Sequence, residues 1–309
     1  MMHALWSVVA GCAIAALAAC PEPADSDAAA GDAGRDAAHD GSAATDGTAQ
    51  DSALADRTAV DAAGRDGGWY RPGVATTWQW QLTGTVNTNY DVDLYDIDLF
   101  ETELAFNQSL QTAGRRVLCY FSAGSAENWR PDYGQFASGD LGNDLDGWAG
   151  ERWVDVRSTN VRNIMLARLD QAQNKGCDGV EPDNVEGIGN NPGIDYTAND
   201  QLAYIRFLAT AAHDRGLAIA LKNDLPQVTA LVDAVDLMVN EECHQFGTEC
   251  DLLQPFINAG KPVLNAEYAN SLSAAQNLAT TLCPQALSEN FRTLILPLDL
   301  DDAFRVSCD

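Results

Sequence analysis

Basic side chains are scarce in this chain: 18 Lys and Arg stand against 45 Asp and Glu, a formal charge of -27 over 309 residues. A surface so acidic repels phosphate backbones, which excludes nucleic acid as a partner and favours a neutral or cationic one. Apolar runs long enough to cross a bilayer are missing too, since the small-residue stretch at 8–19 falls short of the required length. No Cys-x-x-Cys or His-x-His occurs, so the sequence offers no metal-type ligand spacing, and neither a metal nor a cofactor is expected. Aromatic residues are absent from Pro21 to Gly68, a stretch of mostly Ala, Asp, Gly, Ser and Thr that cannot bury enough surface to offset its ordering entropy.

What is present divides the chain in three. Residues 1–19 have the apolar core of a signal peptide, although no Lys or Arg precedes it. They end in Leu17-Ala18-Ala19-Cys20, which resembles the bacterial lipobox; that resemblance implies export, lipidation of Cys20 and anchoring on the periplasmic or extracellular side of a membrane. Residues 20–68 then read as a disordered acidic tether, kept extended by its like charges. From Trp69 the composition is that of a folded protein, and roughly 240 residues suffice for one large domain, expected to be a monomer.

Six cysteines fall in that domain: Cys119, Cys177, Cys243, Cys250, Cys283 and Cys308. An even count in an oxidising compartment suggests three disulfides. Proximity pairs Cys243 with Cys250 and Cys283 with Cys308, leaving Cys119 for Cys177, although six cysteines allow fifteen connectivities.

Short apolar runs alternate with helical periodicity, the pattern of repeated βα units and a parallel sheet. Strands are predicted at 77–82, 94–100, 116–122, 179–183, 218–223, 237–241, 263–268 and 293–298. Val161, Ile164, Met165 and Leu169 mark one helix before Lys175-Gly176; Leu202, Ile205, Leu208 and Ala212 mark another before Arg215-Gly216. Residues 83–93 are too few and too polar for a helix. The pattern predicts an α/β fold, a (β/α)8 TIM barrel, with a doubly wound open sheet as the alternative. In both, chemistry belongs at the C-terminal strand ends.

Polar residues gather there. Asp183 ends the fourth predicted strand and Glu241 the sixth, and a pair of carboxyls across a barrel mouth is what glycosidic cleavage requires: one protonated to donate, one ionised to attack or to activate water. Asn184 and Asp224 could instead cap following helices. Lys222 closes an apolar strand and needs a carboxylate partner, for which Glu181, sharing the parity of Asp183, is a candidate. A Schiff-base role for Lys222 is the sharper alternative. Tyr120, Trp129, Asn223, Asn240, Glu267 and Tyr268 complete the candidate substrate-binding set. Of Trp78 and Trp80, one is expected to face the helices, whereas Trp129 and Trp148 lie in a long loop, 124–150, suited to stacking on sugar faces.

The segments Val117-Leu118-Cys119-Tyr120-Phe121-Ser122-Ala123-Gly124-Ser125, Trp129-Arg130-Pro131-Asp132, Gly176-Cys177-Asp178-Gly179-Val180-Glu181-Pro182-Asp183-Asn184, Leu221-Lys222-Asn223-Asp224 and Asn240-Glu241-Glu242-Cys243 together resemble glycoside hydrolase family 114. The resemblance spans residues 78–301. It implies a TIM barrel acting as an endo-α-1,4-polygalactosaminidase on galactosamine-rich exopolysaccharide, with Asp183 and Glu241 as its catalytic acids. Such a polymer, once de-N-acetylated, is cationic. Two rival readings stand beside it: a non-catalytic surface barrel that only binds polysaccharide, and a metal-dependent hydrolase using Asp183, Glu241 and Glu267.

Overall fold

The computed structural model describes residues 68–247 and 249–309. The signal segment, Cys20 and nearly all of the predicted tether lie outside the described residues.

Eight parallel strands run in chain order around one sheet: β1 (Trp78–Gln81), β2 (Leu94–Asp98), β3 (Arg116–Ser122), β7 (Gly179–Asp183), β8 (Ala218–Lys222), β9 (Leu237–Glu241), β10 (Val263–Tyr268) and β11 (Arg292–Leu296). The order never reverses, so the sheet has no switch point and the doubly wound alternative is excluded. A short strand, β12 (Val306–Ser307), adds antiparallel to β11. No backbone ladder joins β11 to β1. The segment after β11 closes that seam: Leu82 and Thr83 donate their N–H groups to Leu300 O, Arg305 reaches Trp78 O, and the Trp78 indole donates to Arg292 O at 2.9 Å.

Alternation along the strands sorts the core into two layers. Trp78, Leu94, Leu118, Ala220, Val239, Leu264 and Leu294 fill the barrel. Tyr95, Val117, Phe121, Val180, Ile219 and Met238 pack outward under the helices. Trp78 and Trp80, two residues apart, share a face, and both enter the barrel with ring centroids 5.6 Å apart. The expectation that one of them faces the helices is thereby corrected.

The helices are α1 (Leu104–Thr112), α2 (Thr159–Asn174), α3 (Ala198–His213), α4 (Val228–Leu231), α5 (Gln254–Asn258) and α6 (Leu272–Ser288). Ser158 caps α2 by accepting from Asn160 N and Val161 N, and Gly176 and Gly216 take the left-handed conformation just beyond α2 and α3. As expected, no helix forms between β1 and β2. Cys119 pairs with Cys177, Cys243 with Cys250 and Cys283 with Cys308.

The long segment after β3 is more ordered than a loop. It forms a separate antiparallel sheet from β4 (Ser125–Glu127), β5 (Leu141–Asp144) and β6 (Glu151–Val154), with β6 in the middle. Residues 184–196 pack against it so closely that a Cβ on Gly124 or Gly142 would collide with the carbonyl of Asn184 or Pro192.

Candidate active site

The inward parity sets Asp183, Lys222 and Glu241 at the upper ends of three neighbouring strands, β7, β8 and β9. Lys222 is 2 % exposed. Its Nζ lies 3.0 Å from Asp183 Oδ1, 3.1 Å from Glu241 Oε2 and 3.4 Å from Glu181 Oε1, with the Trp80 ring 5.0 Å away. Burial alone would discharge the amine, but the Asp183, Glu241 and Glu181 carboxylates outweigh it and hold Lys222 well above the ordinary lysine range. Because both acids touch one nitrogen, their facing oxygens are no more than about 6 Å apart, close enough to act on one glycosidic bond. The carboxylate partner expected for Lys222 is thus threefold. An amine so held is charged and fully engaged, which removes the Schiff-base alternative.

Each acid also receives a phenol. Tyr120 donates to Asp183 Oδ2 at 2.9 Å, and the Tyr268 hydroxyl donates to Glu241 Oε1. Asp183 Oδ1 accepts the Asn184 N–H at 2.7 Å. Asn184 Nδ2 in turn donates to Ser122 Oγ, which meets Ser125 Oγ at 2.6 Å, and Ser125 donates to Glu151 Oε2 at 2.7 Å. This polar chain ties the turn after β7 to the small sheet. On the other side Asn223 donates to Glu241 Oε2 at 3.2 Å and accepts the Glu241 N–H at 3.0 Å.

Tyr120, Lys222, Asn223 and Tyr268 therefore gather with Asp183 and Glu241 as the sequence suggested, whereas Asn240 and Glu267 do not. Both stand one residue out of phase with the inward set, behind the sheet. Asn240 donates to Asn223 Oδ1 and accepts from Asn265, steadying the site from outside. Glu267 Oε1 accepts from His244 N at 3.0 Å and from Asn265 Nδ2, and burial pushes its carboxyl up to about 7. With Glu267 so engaged, the three-carboxylate metal site of the rival reading is not assembled. Among the described residues one Cys/His cluster has ligand-like spacing, Cys243, His244 and Cys250, but its two sulfurs are bonded to each other. Asp224 makes no helix-cap bond; its Oδ1 accepts from Gln201.

The Trp129-Arg130-Pro131-Asp132 motif is a frame with an exposed aromatic set into it. Arg130 forms a bidentate pair with Asp98 at the end of β2 and donates through Nε to Glu127 at 2.8 Å. Asp132 takes two bonds from the buried Arg168 of α2. Trp129 is left 53 % exposed and Trp148 52 %, and both flank the end of the small sheet where Asn128 bonds Gly150.

Two acids went unread in the sequence. Asp96 is an aspartate in mid-strand among Leu94, Tyr95 and Ile97, a signal that was available. Glu186 had none: it lies three residues past Asp183, where burial and then the Asp183 charge push it up to about 8.

The model of glycoside hydrolase family GH114 matches residues 58–309. Among solved structures, Ega3 of Aspergillus fumigatus in complex with galactosamine is 44 % identical, with 77 % of this chain and 97 % of that one covered at a TM-score of 0.72. The glycoside hydrolase domain of PelA from Pseudomonas aeruginosa is 13 % identical, with 75 % and 98 % covered at 0.60, a likeness of fold. Among the curated proteins none matches. A parallel barrel bearing two facing carboxyls at its mouth agrees with a family match that covers the whole described domain, and the chain belongs to glycoside hydrolase family GH114.

Proposed function

We propose that this hydrolase cleaves α-1,4-linked galactosamine-containing polysaccharide internally and with retention, Asp183 serving as nucleophile and Glu241 as general acid. The observation that carries the chemistry is the shared Lys222 Nζ, which brings the facing oxygens of the two acids to within about 6 Å of each other, close enough to act on one glycosidic bond; retention, with direct attack by Asp183, is the outcome the product configuration tests. The sugar comes from the likeness to a protein whose structure holds galactosamine. A backbone N–H, Lys222 and Tyr120 all donate to Asp183 and fix its carboxyl at the barrel mouth in position for attack. Glu241, with 27 % of its side chain exposed, is the more accessible of the two to a leaving oxygen.

In the first step Asp183 attacks the anomeric carbon as Glu241 passes its proton to the departing glycosidic oxygen. In the second, Glu241 takes a proton from water, whose oxygen displaces Asp183 and releases the sugar with its original anomeric configuration. Trp129 and Trp148 offer stacking faces for sugars beyond the point of cleavage. An acidic barrel surface suits a polymer carrying free amines. The Leu17-Ala18-Ala19-Cys20 motif supports an exported protein anchored through lipid on Cys20.

Incubation with de-N-acetylated galactosaminogalactan tests the reading. It predicts reducing ends appearing early as oligomers of mixed length, first products in the α configuration, and no loss of rate in EDTA. Binding without new reducing ends would leave only the polysaccharide-binding barrel; β products or EDTA sensitivity would refute the mechanism.

A further inference from the structure

Among the described residues three Trp, Tyr or Phe side chains are exposed, and all three follow strands of the barrel at its C-terminal end. Trp129 and Trp148 stand in the long segment after β3. Phe246, 50 % exposed, stands five residues past Glu241 in the segment after β9. Strand order sets what lies between them. Round the sheet from β3 come β7 with Asp183, β8 with Lys222 and β9 with Glu241, so the two acids have the tryptophans on one side and Phe246 on the other. The backbone around Phe246 is pinned at several points. Cys243 is bonded to Cys250 with their Cα atoms 5.0 Å apart, and His244 N donates to Glu267 Oε1 at 3.0 Å. The His244 ring turns inward, its centroid 6.2 Å from that of Phe291, while Phe246 N donates back to Glu242 O at 3.2 Å. Glu267, which stands behind the sheet, thus serves the mouth by holding this turn. A large ring left half in water on a fixed backbone gives the fold little, but a ligand can cover it with little further loss of freedom.

We propose that Phe246 is a sugar-stacking residue on the leaving-group side of the scissile bond, its ring taking the C–H face of a hexosamine unit in the chain that departs past Glu241. The inference deepens the internal cleavage proposed above and rests on the roles given there to Asp183 and Glu241. An enzyme that cuts within a polymer holds chain on both sides of the bond. Asp183 attacks the anomeric carbon, so the retained sugar lies towards β7. Glu241 protonates the oxygen of the departing unit, so that unit lies towards β9 and the turn that follows it. A hexosamine shows C–H groups on one face, and an aromatic ring packs there while the amine and hydroxyls at the sugar's edge keep their water.

Three measurements test this, each on variants shown to be folded by their melting curves. With de-N-acetylated galactosaminogalactan, Phe246→Ala loses about tenfold in kcat/KM, chiefly through a higher KM, and Phe246→Tyr recovers most of it. On a galactosamine oligomer of defined length labelled at its reducing end, Phe246→Ala moves the cut towards that end and gives shorter labelled products, because the chain no longer gains by extending past Glu241. The third measurement needs no turnover: the affinity of Asp183→Asn for the polymer weakens about tenfold when Phe246→Ala is added. An unchanged KM, a cut that stays in place, or a Phe246→Tyr enzyme as weak as Phe246→Ala overturns the proposal. A wild type that binds the polymer without cutting it sinks the catalytic reading, and the affinity measurement then decides the Phe246 contact by itself.

Discussion

A lysine almost wholly removed from water stays charged only where anions hold it, and Lys222 has three within 3.4 Å. Replacing it by Met keeps the length but strands Glu181, Asp183 and Glu241 without their cation. Lys222→Met is expected to lose about 100-fold or more in kcat and to cost about 3–5 kcal/mol of stability, as broken buried pairs do. Activity and melting measurements check it, and a variant with near wild-type values in both would contradict the account. Tyr268→Phe removes only one donor from Glu241 and should lower kcat about tenfold or more with KM little changed. At this scale the sequence was legible where strand parity was followed. Lys222, alone in an apolar strand, announced its need for carboxylates, and Glu181 was readable as one of them. Asn240 and Glu267 were misplaced because nearness to a strand end was weighed without alternation. Glu241 facing inward requires Asn240 to face outward, and Tyr268 requires the same of Glu267.

The three strands that carry the site end alike. Asn184, Asn223 with Asp224, and Glu242, which follow β7, β8 and β9, all adopt positive φ, between 47° and 59°. A left-handed residue there breaks the strand at once and leaves the preceding side chain standing at the barrel mouth. Asn and Asp tolerate that conformation; Glu242, at φ 58°, does so against its preference at roughly 1 kcal/mol. Glu242→Gly should leave stability unchanged or raise it by up to about 1 kcal/mol, whereas Glu242→Val should lower it, as read from denaturant midpoints. A loss of stability in the Gly variant would contradict the strain. The strands themselves were legible because buried parallel strands are continuous apolar runs: 116–122, 179–183, 237–241 and 263–268 match their predicted bounds. The small sheet was not. Ser125–Glu127 and Leu141–Asp144 are too short and too polar to show a period of two, and their pairing is imposed by contacts with residues 184–196.

Over the whole molecule, several acids are buried with raised pKa: Glu267 and Asp224 near 7 and Glu186 near 8, burial being the first cause in each. Raised folded-state values mean that the native protein binds more protons than the unfolded chain between their ordinary range and pH 8. The stabilising effect is present at mildly acid pH and lost as pH rises through 7 to 8. The net charge of -27 adds self-repulsion in the same direction. The melting temperature should therefore be higher at pH 5 than at pH 8, and a flat or rising trend in calorimetry would contradict this. Cys20→Ala should move the protein from the membrane to the soluble exported fraction without altering its rate on soluble polymer; continued membrane association would refute the anchor. Composition bounded the class, but the sugar came from family likeness, because acidity names a cationic partner and no particular one. The most direct test of the central claim is the turnover of de-N-acetylated galactosaminogalactan by Asp183→Asn and Glu241→Gln, each confirmed folded by its melting curve. Loss of about 1,000-fold or more in kcat in both is the predicted result; near wild-type turnover in either would contradict the two-carboxylate account.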